Sequence, residues 1–583
     1  MVALCTLLAC APAAKRAPAP VASSAATAAP DAAAPQPEAR DEDAEVAAAA
    51  KEWLDLMVEV APEEASSLGL HGGDDRLGPK TPDAAALATA RLEALLASLR
   101  SRFEARPLKT RTAKTDAAIL IGTLAVETRY RRHVKPLERR PDAYTGSLAA
   151  LYLMAARDYA PAAQRATHAL ARIDAIPAQL AAARTQLGAP PKVWTQIGIE
   201  RARSAAAFFD EQRAFLEGAL PGEKPRIAAS LAATKKAFAE YATFLEHEVL
   251  PRSTGDFAVG ADFFAFLLKN EYALDESADH LEERGRAIVA STVASMNALA
   301  KKIDPKANDW FSVVTRLKAK HPTAAELLPT YRREVARARK FLVDRDVVPF
   351  PDGDDLAVVE TPLFERNTIS AAYDAPPPFD PGTRGLFFVT PVDAALPRAK
   401  QEELLREHDF GDVVDTAVHE AYPGHHLQHS FARRHPSIVR KATGASIFAE
   451  GWGLYSEELM AELGYFTDEE RLMQLEWTLV RAARVVIDVG LHTKGMSFDD
   501  AVKMLTDVAH LEKPFAISEV KRYTTDPTQP LSYLIGREMI FRIRDEYKAR
   551  AGAAYSLKEF HREILSHGTS PPGLIEAEMF AAE

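Results

Sequence analysis

Residues 411–430 read Gly-Asp-Val-Val-Asp-Thr-Ala-Val-His-Glu-Ala-Tyr-Pro-Gly-His-His-Leu-Gln-His-Ser. His419, Glu420, His425 and His426 fall close together here, in a chain with 16 histidines. Imidazole nitrogen and carboxylate oxygen are donors that zinc takes. In the usual arrangement two histidines four apart share one helical face, with a glutamate after the first. Position 423 is proline, so that arrangement fails. Two nitrogens on one tetrahedral zinc lie about 3.3 Å apart. On a straight helix His425 sits about 9 Å along the axis from His419 and on the wrong face, while His426 has the right face but lies about 10.5 Å away. Pro423 removes a backbone donor and clashes with the carbonyl four residues back, and Gly424 permits an unusual dihedral. The helix is therefore expected to bend here and to bring one of the two histidines back beside His419.

Working outward, a third ligand is expected at a distance. Residues 447–459, Ile-Phe-Ala-Glu-Gly-Trp-Gly-Leu-Tyr-Ser-Glu-Glu-Leu, read as a helix carrying carboxylates. A helix–loop–helix return brings Glu450 against the first helix. Further on, Arg484, Asp488 and His492 are spaced four apart and share one helix face. They are read either as an oxyanion donor (His492) oriented by Asp488 with Arg484 as a clamp on a substrate carboxylate, or as a buried polar network. Asp415, one turn before His419, is read as an acceptor for its second ring nitrogen or as an exposed helix charge.

The surrounding chain is helical almost throughout. Residues 83–104, 112–130, 160–185, 203–217 and 225–249 carry apolar residues at three- and four-residue spacing with charged residues between, and 274–303 and 324–341 look alike. Residues 349–391 are rich in Pro and Gly, and the runs at 356–361 and 385–390 read as strands. The expected fold is mainly α, with a small sheet near the site helix, read either as an edge that binds a peptide backbone by strand addition or as a surface flap. Residues 47–250 are expected to form an N-terminal helical subdomain and 251–583 the subdomain carrying the site.

Composition narrows the partners. The 583 residues hold 71 Lys+Arg against 82 Asp+Glu, a formal charge of -11, which argues against a nucleic-acid binder. The 2 cysteines are Cys5 and Cys10, so the body has neither a cysteine-ligated metal nor a cysteine nucleophile. No apolar run of about 20 residues is present, so no membrane-spanning helix is expected. Leu7-Leu8-Ala9-Cys10 resembles the lipobox of bacterial lipoproteins, and an Ala/Pro-rich spacer follows it to about residue 46. It predicts a cell-envelope protein lipidated at Cys10, touching the membrane through that anchor alone; the alternative is a cytoplasmic protein with a low-complexity tail.

His-Glu-x-x-Pro-Gly-His-His-x-Gln at 419–428, followed by Glu-Gly-Trp-x-x-Tyr-x-Glu at 450–457, resembles the bacterial domain-of-unknown-function 885 family, over roughly residues 47–580. The stretches 481–492, 527–536 and 560–568 match it too. A more distant likeness is to helical gluzincins of the thimet-oligopeptidase and carboxypeptidase types, through Gly424-His425, Phe448-Ala-Glu450 and Ser532-Tyr533. The resemblance implies a helical, two-subdomain, gluzincin-like zinc peptidase with one zinc per chain. Its metal ligands would be His419, His425 and Glu450, with His426 as the alternative to His425. Glu420 would be the general base acting on zinc-polarised water, and Tyr533 or His492 would bind the oxyanion, with Tyr523 as a weaker rival to Tyr533. His426, Arg484, Asp488 and Tyr455 are assigned to substrate binding or support of the ligands, and Gln428, His429 and Trp452 to support. The expected substrate is a short peptide, because the deep clefts of helical gluzincins favour small unfolded chains. A zinc hydrolase of another amide or ester, and an envelope binding lipoprotein without turnover, are the alternatives.

Overall fold

The computed structural model describes residues 40–362, 366 and 369–580. The lipobox-like Leu7–Cys10 stretch lies outside them. Among the described residues no helix is long and apolar enough to cross a membrane.

The three- and four-residue apolar rhythm becomes helices α1 (Glu42–Val60), α2 (Pro82–Ala105), α3 (Arg111–His133), α4 (Ala162–Gln186), α5 (Lys192–Ala219) and α6 (Lys224–Phe244). In α4 the stripe Ala166, Ala169, Leu170, Ile173, Ile176 and Leu180 is buried. It packs with Phe208 and Phe209 of α5 and Leu231 and Phe238 of α6. Next come α7 (Ala278–Ile303), strands β1 (Asp355–Glu360), β2 (Ala371–Asp374) and β3 (Arg384–Val389), then α8 (Phe410–Glu420), α9 (His425–Ala432), α10 (Ser446–Glu462), α11 (Asp468–Thr493), α12 (Lys513–Thr525) and α13 (Gln529–Ala551). The chain is thus mainly α-helical with one three-stranded sheet, ordered β1-β3-β2. β1 runs parallel to β3, and β2 runs antiparallel with Tyr373 opposite Phe387. β1 and β3 match the expected strands. β2 reads Ala-Ala-Tyr-Asp, too short and too weakly alternating to stand out, and it is the strand that reaches the site.

α11 lies at the centre. Its residues from Leu472 to His492 are almost all buried, Arg484, Asp488 and His492 included. It starts from a capping box, Thr467 with Glu470. One apolar cluster joins Val193 and Trp194 of α5 to Val485 of α11 and to Leu534 and Ile535 of α13. Residues Glu42–Glu583 form one compact unit.

α10 and α13 cross backbone to backbone. A Cβ on Gly451 would lie 2.5 Å from the carbonyl carbon of Gly536, and a Cβ on Gly536 would overlap the carbonyl oxygen of Ile447. Gly536→Ala is therefore expected to destabilise the protein by about 1–3 kcal/mol, because two helix backbones must separate to admit a methyl group. Gly218→Ala, in open space on α5, should be neutral or stabilise by roughly 0.5–1 kcal/mol. Denaturant midpoints of the two variants check the opposite signs.

Candidate metal centre

α8 ends at Glu420, and after four intervening residues α9 begins at His425. The helix does not bend; it stops and restarts. The Tyr422–Pro423 peptide is cis, and the Gly424 N–H donates back to the Val418 carbonyl at 3.1 Å. Gly424 has φ -69° and ψ -137°, a pair outside the helical and extended regions, the unusual dihedral expected of a glycine here. The position also requires the missing side chain, since a Cβ there would overlap the carbonyl of His419. The Trp452 indole N–H donates to the Pro423 carbonyl at 2.8 Å and ties the turn to α10. The reversal sets the His425 ring edge-on to His419, with centroids 4.7 Å apart.

α10 grips the other side of His419. Glu457 Oε1 lies 2.7 Å from His419 Nδ1, and Glu450 Oε2 lies 3.7 Å from its Nε2. The same Glu450 oxygen is 3.3 Å from His425 Nε2. Glu450 and Glu457 are two turns apart on one face of the helix. Gly453 lies between them, and a Cβ there would sit 2.6 Å from His419 Cε1, so the imidazole rests on bare backbone. Glu420 completes the group: His419, Glu420 and His425 each offer a donor atom within 4.8 Å of the others. Glu420 Oε2 accepts the backbone N–H of Tyr373 in β2 at 3.0 Å.

The electrostatics follow from this packing. Burial works against a charged His419, but Glu450 and Glu457 outweigh it and raise the imidazole to about 10. Burial likewise opposes ionisation of Glu450, yet His419 and His425 hold it well below the usual carboxylate range. The donor set fits a divalent cation. A cation would displace the Nε2 proton of His419 while Nδ1–H stays donated to Glu457, leaving the Nε2 lone pair toward the Glu450 oxygen and His425, the arrangement in which a carboxylate orients a metal-binding imidazole. His425 Nδ1 is buried without a partner.

The remaining residues from the sequence reading separate into groups. His426 faces away from His419, with Nε2 2.6 Å from Asp354 Oδ1 and Nδ1 3.1 Å from the Tyr373 hydroxyl. The His429 ring lies 6.2 Å from that of His425 and 5.9 Å from that of Tyr373. Tyr533 stacks near His419 at 6.3 Å, and Gln529 Nε2 donates to its hydroxyl at 3.4 Å. Arg484 stands over the Tyr533 ring at 4.7 Å, but its Nε donates to the Tyr523 hydroxyl and its Nη2 to Glu519. Its Nη1 is buried without an acceptor. Asp488 accepts the Thr528 and Leu531 N–H groups, both at 3.2 Å, at the start of α13. His492 Nε2 lies 3.0 Å from the Tyr523 carbonyl, and its ring packs on Phe257 and Phe264. All three residues thus have buried polar partners, and His492 Nδ1, like Arg484 Nη1, is buried without one. Tyr455 is fully buried with its hydroxyl 2.7 Å from His561 Nε2, and Gln428 donates to Thr569. Asp415 does not take the second nitrogen of His419; Glu457 does. Burial, then the charge of Glu457, pushes Asp415 well above the usual carboxylate range.

Two neighbours were not singled out from the sequence. Glu457 was legible as the carboxylate seven after Glu450, on the same helical face. Arg481 was not. Its guanidinium stands over Trp477 at 4.6 Å and Tyr533 at 5.7 Å, and its Nε and Nη1 are buried with no acceptor. One turn before Arg484, it carries no local signal that separates it from that residue.

The family model for bacterial proteins of unknown function, DUF885, matches residues 62–579, and the chain belongs to that family. No curated protein matches it. Among solved structures it is similar to a candidate lipoprotein of unknown function from Shewanella oneidensis, at 25% identity and TM-score 0.75, covering 92% of this chain and 99% of that one. A candidate lipoprotein from Colwellia psychrerythraea shares the fold at 18% identity and TM-score 0.78, covering 92% of this chain and 98% of that one.

The hydrogen bond from Trp452 to the reversal yields a stability test. Trp452→Phe leaves the Pro423 carbonyl buried without its donor and is expected to cost about 1–3 kcal/mol. The loss would register as a lower midpoint in urea unfolding followed by far-UV circular dichroism.

Proposed function

We propose that this DUF885 chain is a divalent-metal-dependent peptidase of the cell envelope, with His419, His425 and Glu450 as metal ligands and Glu420 as general base. The observation that carries the reading is the convergence of three donor side chains from α8, α9 and α10 on one point, with a further carboxylate beside them. Two neutral imidazoles and a carboxylate are a donor set suited to zinc. Bound there, the cation supplies Lewis-acid chemistry that polarises a substrate carbonyl.

The chain's own residues supply the rest. One oxygen of Glu420 is fixed by the Tyr373 N–H. The other is left to take the proton from an attacking water and return it to the leaving amine. Tyr533, beside His419, offers a hydroxyl to the oxygen on which charge develops. Arg481 stands over the Tyr533 ring with two buried N–H groups lacking acceptors, and supports the oxyanion beside that hydroxyl. The substrate class is supported by β2. Ser370, at its start, accepts from the Thr390 N–H, so alternation turns Ala371 and Tyr373 away from β3. That edge lies against Glu420 and suits an extended backbone. Placement in the envelope is supported by the lipobox-like Cys10 and by the wording of the Shewanella relative's description.

Two measurements test this reading. Metal analysis of purified protein should give about one zinc per chain. His425→Asn and Glu450→Gln should lose it, His426→Asn should keep it, and Glu457→Gln should weaken binding about 10–100-fold. In mass-spectrometric profiling of a broad peptide library, cleavage should vanish with chelator and return with metal. Glu420→Gln should keep the metal while lowering kcat by roughly 10²–10⁴-fold. A metal-loaded protein that cuts no member of the library would sink the proposal.

A further inference from the structure

A cavity of about 430 Å³ opens at the N-terminal end of α8, at the opposite end of that helix from Glu420. Its size lies within the range of small-ligand pockets. Phe311, Trp477 and Phe515 supply aromatic walls, and seven carboxylates face two cationic side chains, Lys318 and Arg406. Lys318 is already paired with Glu476 at 2.7 Å. Among the described residues Asp409, Asp412, Glu407 and Glu512 have no ion-pair partner. Asp409 accepts the Gly411 and Asp412 N–H groups, and Asp412 accepts the Trp477 indole N–H at 2.6 Å. Burial, then the charge of Glu476, pushes Asp409 up to about 6; burial, then Asp409, pushes Asp412 up to about 8. An apolar-walled space with such a floor suits an alkyl or guanidino-alkyl chain ending in a positive charge, whose arrival draws the proton off Asp412.

Two rulers place the cavity relative to the proposed chemistry. Along α8, Asp412 precedes Glu420 by eight positions, about 12 Å. Along β2, Ser370 lines the cavity and Tyr373 bonds Glu420, a separation of about 10 Å. An extended peptide on the β2 edge covers that distance in about three residues.

Resting on the peptidase reading, we infer that this cavity receives a cationic group of the substrate, about three residues from the bond cut at Glu420. A lysine or arginine side chain and the ammonium terminus of the peptide share that chemistry. Trp477 is the partition between the two regions: one face stacks on Arg481, which reaches over Tyr533, and its indole is anchored to Asp412 in the cavity.

The test has a binding arm and a turnover arm. In calorimetry, argininamide should bind the wild-type chain, and its uncharged analogue citrulline amide should bind at least about tenfold more weakly. Asp412→Asn, which keeps an acceptor for the Trp477 indole, should remove most of that difference. The double variant Glu407→Gln/Glu512→Gln, on the rim and away from the helix cap, provides a second reading should the first unfold on melting. In the turnover arm, a lysine scan through a cleaved peptide should raise kcat/KM at least about tenfold over glutamine at one position two to four residues from the cut. N-terminal acetylation then separates the sources: loss on acetylation assigns the ammonium terminus, and indifference assigns the side chain. Argininamide binding without peptide cleavage keeps the cavity assignment and removes the peptidase reading. Cleavage with no charge preference and equal binding of the two amides overturns the cavity assignment and leaves the peptidase reading standing.

Discussion

One imidazole ring lies flat on a stretch of helix with no side chain to cushion it. His419 touches α10 at Gly453, and the helix reaches around the ring with Glu450 on one nitrogen's side and Glu457 on the other's. A side chain at 453 would push the ring out of reach of both carboxylates. α10 must therefore run against α8 at a distance set by backbone. Its far face is pressed in the same way against α13 at Gly451 and Gly536. Two glycine contacts on opposite faces of one helix leave α10 little room to move, and α13 delivers Tyr533 to the His419 ring as a consequence. Rigid placement of this kind is what a site with tight geometric tolerance needs.

The helical fold was legible because burial imposes a rhythm that the sequence must carry. The α4 stripe and its partners on α5 and α6 are apolar at three- and four-residue spacing. The site was legible in part for a different reason: rare side chains clustered where the regular spacing failed. His419, His425 and Glu450 meet, and the geometric misfit at Pro423 pointed to a break in the helix. The helix stops and restarts there instead of bending, and Gly424 serves the break both by its unusual dihedral pair and by its close approach to the His419 carbonyl.

What stayed hidden depends on contacts between segments far apart in the chain. Nothing local distinguishes Arg481 from Arg484, one turn apart on a buried helix. Only the neighbours decide that Glu519 and Tyr523 engage the second while two N–H groups of the first lack acceptors. Asp415 and Glu457 posed the same difficulty. Both were within reach of the second His419 nitrogen, and the closer one comes from 38 residues away. β2 escaped notice because four residues with weak alternation carry almost no strand signal.

That short strand explains why a sheet is present at all in a chain otherwise built of helices. Tyr373 joins three parts at once: its N–H goes to Glu420 at the end of α8, its hydroxyl lies against His426, and its ring lies against His429 of α9. Gly385 on β3 leaves space for this, since a Cβ there would come within 2.5 Å of the Tyr373 hydroxyl. β3 in turn fixes β2 through the Thr390–Ser370 and strand-register bonds, and is itself anchored by Phe387 and Val389 in the core below. A lone extended segment of this length would not hold its shape in water. Held as an edge strand, it fixes one oxygen of Glu420 and keeps a line of backbone groups turned outward beside the other. The sheet can therefore be small: it supports a single edge, and that edge is where the sheet meets the helical site.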